Sequence, residues 1–132
     1  MTTEPLELHQ KSIPEALIRW ERLKHFFRQG YRVLEIGGST GAFLEICSQT
    51  CECFCVEPDT SNRNFASQFS VGQYEYIEDV PDAGQFDVIC LFHVFEHIRS
   101  PAGFLKQCSR LIKEQGSIII EVPHIEDPLL SI

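Results

Sequence analysis

No run of apolar residues in this 132-residue chain approaches the roughly 20 that cross a bilayer, so no membrane-spanning helix is expected. Cationic residues are scarce: 11 Lys and Arg against 19 Asp and Glu give a net charge of −8. Without clustered Lys and Arg a chain has little to hold phosphate backbones, which excludes nucleic acid as a partner. The few basic residues that fall close together, Arg19, Arg22, Lys24 and Arg28, stand at helical spacing among acids and read as a solvated helix face. The opening Met1-Thr2-Thr3-Glu4-Pro5 lacks the basic and apolar regions of a secretory signal. Repeats and low-complexity segments are missing too. What is present is one domain's worth of chain, with ordinary hydrophobic (43%) and charged (23%) fractions.

Six cysteines, Cys47, Cys51, Cys53, Cys55, Cys90 and Cys108, mostly sit inside apolar periodic segments, as reduced, buried thiols of a cytoplasmic protein do. Cys51, Cys53 and Cys55 alternate, which puts them on one face of a strand. Zinc sites take Cys pairs two to four residues apart from a turn, with a second pair elsewhere, so no metal is expected here.

Residues 1–12 are polar and expected to be loosely ordered, with a domain over 13–132. Ser12, Pro14 and Glu15 form a helix start, and Ile13, Leu17, Trp20, Leu23 and Phe27 recur every three or four positions, predicting an amphipathic helix over 13–28. Strands are predicted at Tyr31–Ile36, Cys51–Val56, Tyr74–Ile77, Phe86–Phe92 and Ser117–Val122. Helices are predicted after Gly41, over 60–69, and from Ser100-Pro101 to a stop at Gly116. Continuous apolar strands alternating with helices mean a parallel sheet covered on both faces, a doubly wound α/β fold. Right-handed crossovers then gather the strand C-terminal ends on one rim.

That rim collects the unusual residues. Val33-Leu34-Glu35-Ile36 is a buried strand that breaks at Gly37-Gly38-Ser39-Thr40-Gly41, a side-chain-poor turn that lets a ligand approach the backbone and leads into the N-terminus of a helix. Glu57 ends the next strand about 20 residues on, a spacing at which a carboxylate can accept from two ribose hydroxyls. Glu78 or Asp79 could meet an adenine amino group. Glu35 can orient the turn or meet an ammonium. Each carboxylate could instead cap a helix or pair with a lysine. The glycines cannot be aligned to Gly-x-Gly-x-x-Gly, which disfavours a nicotinamide oxidoreductase.

These motifs, with Val56-Glu57-Pro58, Phe86-Asp87-Val88-Ile89, His93-Val94-Phe95-Glu96-His97-Ile98, Leu111-Ile112-Lys113-Glu114-Gln115-Gly116 and Glu121-Val122-Pro123, resemble the class I S-adenosylmethionine-dependent methyltransferases over roughly residues 30–125. The similarity is to the group containing ubiquinone-biosynthesis O-methyltransferases and other small-molecule methyltransferases. It implies a Rossmann-like sheet of order 3-2-1-4-5, with S-adenosyl-L-methionine as cofactor and a small-molecule methyl acceptor. It also implies that Glu35, Gly37, Gly38, Ser39 and Gly41 surround the methionine part of the cofactor, Glu57 the ribose, and Glu78 and Asp79 the adenine. Phe92 and His93 would lie near the sulfonium. The family carries glycine where this chain has Ser39.

Methyl transfer from a sulfonium needs mainly alignment, and a base only for a weakly acidic acceptor; His93 is the candidate catalytic residue and His97 the lesser one. His93-x-x-Glu96-His97 also matches an inverted zinc-protease pattern, but it follows a buried strand and a new helix opens at Ser100-Pro101. The family's sheet has seven strands and five are visible, so the chain is expected to be a fragment ending after the fifth. The exposed edge of that strand would be covered by a partner, by a homodimer, or by the tail folding back. The alternative function is a degenerate, non-catalytic domain used for protein association.

Overall fold

The computed structural model describes residues 4–81 and 83–122. Five parallel strands, β1 (Arg32–Ile36), β2 (Glu52–Val56), β3 (Gly72–Tyr74), β4 (Phe86–Phe92) and β5 (Ile112–Glu121), form one sheet in the order β3-β2-β1-β4-β5. The doubly wound order expected from the family resemblance is therefore present. The proposed tail, Pro123 to Ile132, lies outside the described residues.

Alternate residues of each strand feed two apolar layers. Val33, Cys53, Cys55, Val88 and Cys90 point to one face, where α1 (Pro5–Leu23), α2 (Ala42–Cys47) and α3 (Thr60–Ala66) cover them. Leu34, Phe54, Val56, Ile89 and Leu91 point to the other, covered by α4 (Pro101–Leu111) through Cys108 and Leu111. Strands buried on both faces need mainly apolar sequence, which β1 supplies at Val33, Leu34 and Ile36 and β4 over Val88–Phe92. All six thiols are free and buried, and Cys51, Cys53 and Cys55 share the first layer, as their alternation predicts.

The largest departure from sequence expectation is at the N-terminus. The helix begins at Pro5, not at residue 13, so residues 5–12 are helical and not loosely ordered. Ser12 is no cap: its hydroxyl donates to the Leu8 carbonyl one turn back (2.8 Å). What holds this extra segment is His9. Its Nδ1 lies 3.0 Å from Thr40 Oγ1 and its Nε2 2.6 Å from Glu45 Oε1, and its ring stacks on Phe69 at 5.1 Å. The inward stripe of α1 is His9, Ile13, Ala16, Trp20 and Leu23, leaving Leu17 half exposed. Helical backbone ends at Leu23, and a 3₁₀ turn, Lys24–Phe26, brings Phe27 back onto Trp20 and Phe43.

Other boundaries shift for local reasons. The third strand occupies Gly72–Tyr74, and the predicted residue Ile77 starts a 3₁₀ turn, Ile77–Asp79. Helix α4 stops at Leu111, five residues before Gly116, because the chain turns directly into β5. Phe86 pairs with Ile112 but Val88 with Ser117, so residues 113–116 bulge out of the ladder. Gly116 sits in that bulge, where a Cβ would lie 3.0 Å from the Asp87 carbonyl oxygen.

His9→Ala is expected to lower stability by about 2 kcal/mol, since it removes one buried and one partly buried hydrogen bond and leaves a cavity. Urea unfolding checks this, and an unchanged midpoint would mean that α1 is held without His9.

Candidate functional site

The C-terminal ends of β1, β2 and β4 meet at the turn after Ile36. The turn is tied from below and from the side. Gly37 N–H donates to the Val56 carbonyl (2.8 Å), and Ser39 N–H donates to Glu57 Oε1 (2.8 Å). Both residues have left-handed backbone, φ 75° at Gly37 and 55° at Ser39. At Gly37 the bend also excludes a side chain, because a Cβ would lie 2.4 Å from Val94 Cγ2. Helix α2 has only six residues, so the tied loop, and not a helix dipole, forms the ligand-facing surface.

Two cavities flank Gly37. The first, about 310 Å³, is polar on one side, with Glu35, Arg19 and Ser39, and is closed by Phe43, Phe92 and His93. The second, about 260 Å³, is walled by Ile36, Val56, Ile77, Val94 and Phe104, with Glu78 at its margin. The second cavity is lined mainly by apolar side chains and the first by polar and apolar ones together, with Gly37 lining both.

Glu35 is the chemical centre of the first cavity. The residue is 5% exposed, and its Oε1 is buried with no hydrogen-bond partner. Desolvation raises its carboxyl to about 8, with the Arg19 charge opposing and the Glu57 charge assisting. Glu57 accepts at both oxygens, from Ser39 N–H and from Asp59 N–H (2.9 Å), and so ties two loops together. Each oxygen keeps a second lone pair for a ligand hydroxyl.

The remaining predicted residues divide. Phe92 closes β4, meets Phe43 edge-on at 4.8 Å and carries the Arg19 guanidinium 4.4 Å above its ring. Gly38 lies over Glu35, where a Cβ would be 3.4 Å from Oε1, whereas Gly41 faces Ala66 of α3 and shapes the loop from behind. Of the acidic pair, Glu78 reaches the second cavity; Asp79 accepts from Tyr76 N–H (3.1 Å) and lines neither cavity. His97 is 79% exposed on a 3₁₀ turn, Phe95–His97, apart from His93, so the two do not share a helical face.

Sequence reading missed Arg19. Its side chain is only 11% exposed, not solvated, and it donates to Glu121 Oε1 from Nη2 (2.8 Å) and Nε (3.3 Å). Burial works to lower the Arg19 pKa, but the hydrogen bond and the charges of Glu121 and Glu15 hold it above its ordinary value. Arg22 donates to the other Glu121 oxygen, and His93 Nε2 lies 3.0 Å from Glu121 Oε1. Burial pushes the Glu121 carboxyl up, yet Arg19, Arg22 and His93 hold it below the usual range. The available signal was position: Arg19 is three residues from Ala16 on the inward stripe of α1. Beyond this cluster a wider groove of about 630 Å³ opens between Ile18 and Leu23 on one side and Ile119, Ile120 and Val122 on the other.

The sequence profile of the methyltransferase domain family matches residues 10–131. This chain belongs to that family. It is 26% identical over 106 residues to the ubiquinone biosynthesis O-methyltransferase of Neisseria meningitidis serogroup C (strain 053442), covering 71% of this chain and 44% of that protein. The mitochondrial enzyme of the same name from Dictyostelium discoideum is 24% identical over 116 residues, covering 73% of this chain and 36% of that one. This member of the methyltransferase domain family thus spans less than half the length of these relatives. Among solved structures, a SAM-dependent methyltransferase from Archaeoglobus fulgidus is 28% identical with a TM-score of 0.68, over 81% of this chain and 51% of that one. Coclaurine N-methyltransferase bound to N-methylheliamine and SAH is 20% identical with a TM-score of 0.69, over 83% and 35% of the two chains, and shows the shared fold. No helix among the described residues is long and apolar enough to cross a membrane.

Glu35 has a stability signature. The unfolded chain loses this proton near 4.5 and the folded chain near 8. The folded state therefore binds the extra proton between those values, and its stability falls as pH rises through that window. Glu35→Gln is expected to raise the melting temperature relative to the parent by an amount that grows from pH 5 to pH 8, read by thermal unfolding in both proteins. A constant difference across that range would mean that Glu35 titrates normally.

Proposed function

We propose that this domain binds S-adenosyl-L-methionine on the β1–β2–β4 rim and transfers its methyl group to a small-molecule acceptor. The observation that carries the reading is the buried Glu35 carboxyl, its Oε1 without a partner, lining one cavity together with Arg19, with an apolar slot on the other side of Gly37. An α-amino acid end bonds to Glu35 through its ammonium and to Arg19 through its carboxylate. Adenine enters the slot between Ile77, Val94 and Phe104, with Glu78 at its margin and Asp79 beneath holding the turn. Glu57 takes the ribose hydroxyls on its remaining lone pairs, while Gly37, Gly38, Ser39 and Gly41 keep the backbone close. The cofactor supplies an activated methyl on a sulfonium, and the protein's part is alignment and exclusion of water.

His93 stands where the first cavity meets the groove, with Phe92 beside it closing the first cavity. The 630 Å³ groove shares Glu15, Arg19 and His93 with the first cavity, so an acceptor lying along Ile18, Leu23 and Ile120 presents its end to the methyl donor. His93 Nε2 is engaged by Glu121, which leaves Nδ1 to take the proton of an acceptor hydroxyl. That arrangement suits O-methylation, the activity named for the ubiquinone-biosynthesis relatives. The buried thiols suit a reducing compartment such as the cytoplasm.

Isothermal titration with S-adenosylhomocysteine is expected to give one site per chain. Arg19→Ala is expected to weaken it about tenfold, the scale of one charged hydrogen bond, while leaving 5′-methylthioadenosine, which has no amino acid end, nearly unchanged. Absence of binding of both ligands would overturn the reading.

A second reading rests on β5. Among the described strands it pairs only with β4, and Ile120 and Val122 beside its free edge are exposed. Self-association along that edge, as a homodimer, would use the fold for assembly. Sedimentation equilibrium is expected to show a dimer that Ile120→Lys dissociates; a monomer at high micromolar concentration rejects it.

A further inference from the structure

We infer that binding of the cofactor's amino acid end expels a proton from Glu35, so that affinity for the methyl donor and its product is set by pH across the neutral range. The inference rests on the cofactor assignment above and adds a property to that site.

The geometry requires the coupling. Glu35 sits at the end of β1 beneath Gly38, 5% exposed, with Oε1 sealed from water and given no donor by the protein. A carboxylate in that position is ionised only if a positive charge compensates it. The charged and titratable groups facing it can be enumerated element by element. From α1 comes Arg19, with Glu15 on the same cavity; from β2 come Cys55 and, just beyond its end, Glu57; from β4 come Cys90 and, beyond its end, His93. The buried thiols carry no charge that would help, since burial pushes both Cys55 and Cys90 up. Glu57 and Glu15 are of the wrong sign. Among the described residues Arg19 is the one cation that acts on Glu35, and its Nε and Nη2 are committed to Glu121, Nη2 to Glu15 as well. The free protein therefore holds Glu35 as the neutral acid to about pH 8.

An incoming ammonium reverses the balance. It donates to the Glu35 oxygen that has no partner and brings the missing charge. The carboxyl O–H bond breaks, its electron pair stays on the carboxylate, and the proton leaves to buffer. The ammonium keeps all three of its hydrogens. Ligands without an ammonium cannot drive this step.

Calorimetry on the whole chain, in phosphate and in Tris at the same pH, measures the proton directly, because the two buffers differ in ionisation heat. With S-adenosylhomocysteine at pH 7, about 0.8 proton is expected to be released, and affinity is expected to rise about five- to tenfold from pH 6 to pH 7 before levelling above pH 8. With 5′-methylthioadenosine the release is expected to be near zero. Glu35→Gln is expected to abolish the release and flatten the pH profile, whereas His25→Gln, at a residue that lines neither cavity, keeps both. Release unchanged in Glu35→Gln, or near zero for S-adenosylhomocysteine in the parent protein, overturns the inference and leaves the function standing. Failure of both ligands to bind overturns the function, and the inference with it.

Discussion

The bend after β1 exists because the end of β2 holds it. Val56 O receives the Gly37 N–H, and Glu57 receives the N–H groups of both Ser39 and Asp59. Left-handed backbone at a serine is disfavoured when nothing fixes it. Here a charge-assisted bond fixes it, and the same carboxylate orders the entry to α3, where Asp59 caps Asn62 N–H. Every other feature of the rim takes its position from that tie. Gly37 separates the two cavities, Gly38 roofs Glu35, and Thr40 is presented to His9.

Glu35 stands in contrast. Each Glu57 oxygen already accepts from a backbone donor; Glu35, one strand over, has a buried oxygen with no donor. A fold selected for stability alone would replace such a group, since a buried acceptor without a partner costs on the order of 1–3 kcal/mol. Its retention next to a cavity, across from an arginine, is intelligible if the missing donor arrives with a ligand. Two adjacent carboxylates thus divide the work, one holding the architecture and the other held ready by it.

Much of this was legible in the residues. β4 is bounded as predicted, at Phe86–Phe92, because past Asp87 near its start the run buried on both faces stays apolar until it reaches the rim. The rim itself was readable, since strand ends in a parallel sheet must coincide, and Glu35, Gly37, Glu57, Phe92 and His93 do gather there. The failures have a common cause. His9 and Arg19 were discounted as polar, yet each is buried by partners distant in sequence: Thr40 and Glu45 for one, Glu121 for the other. Hydrophobic periodicity cannot register a buried polar residue whose partners lie 31 to 102 positions away. The β5 bulge was missed for a related reason. Lys113-Glu114-Gln115-Gly116 continues a helical composition, and only the pairing of Ile112 with Phe86 shows that the chain has already joined the sheet.

Arg19 and His93 converge on one side chain of β5, and this makes α1 part of the site. Glu121 receives Arg19, Arg22 and His93 on its carboxylate, while its backbone carbonyl receives His93 N–H (2.9 Å). His93 has φ 59°, a conformation that a β-unbranched residue adopts at a cost of order 1 kcal/mol and keeps only where neighbours impose it. The backbone bond to Glu121 imposes it here, and turns the imidazole toward the space between the first cavity and the groove. The guanidinium of Arg19, over the Phe92 ring, braces the same carboxylate from α1. Loss of the first helix would therefore do more than expose the apolar layer under Trp20. It would leave Glu121 without its two arginines and remove the one cation among the described residues that acts on Glu35, dismantling the polar side of the rim.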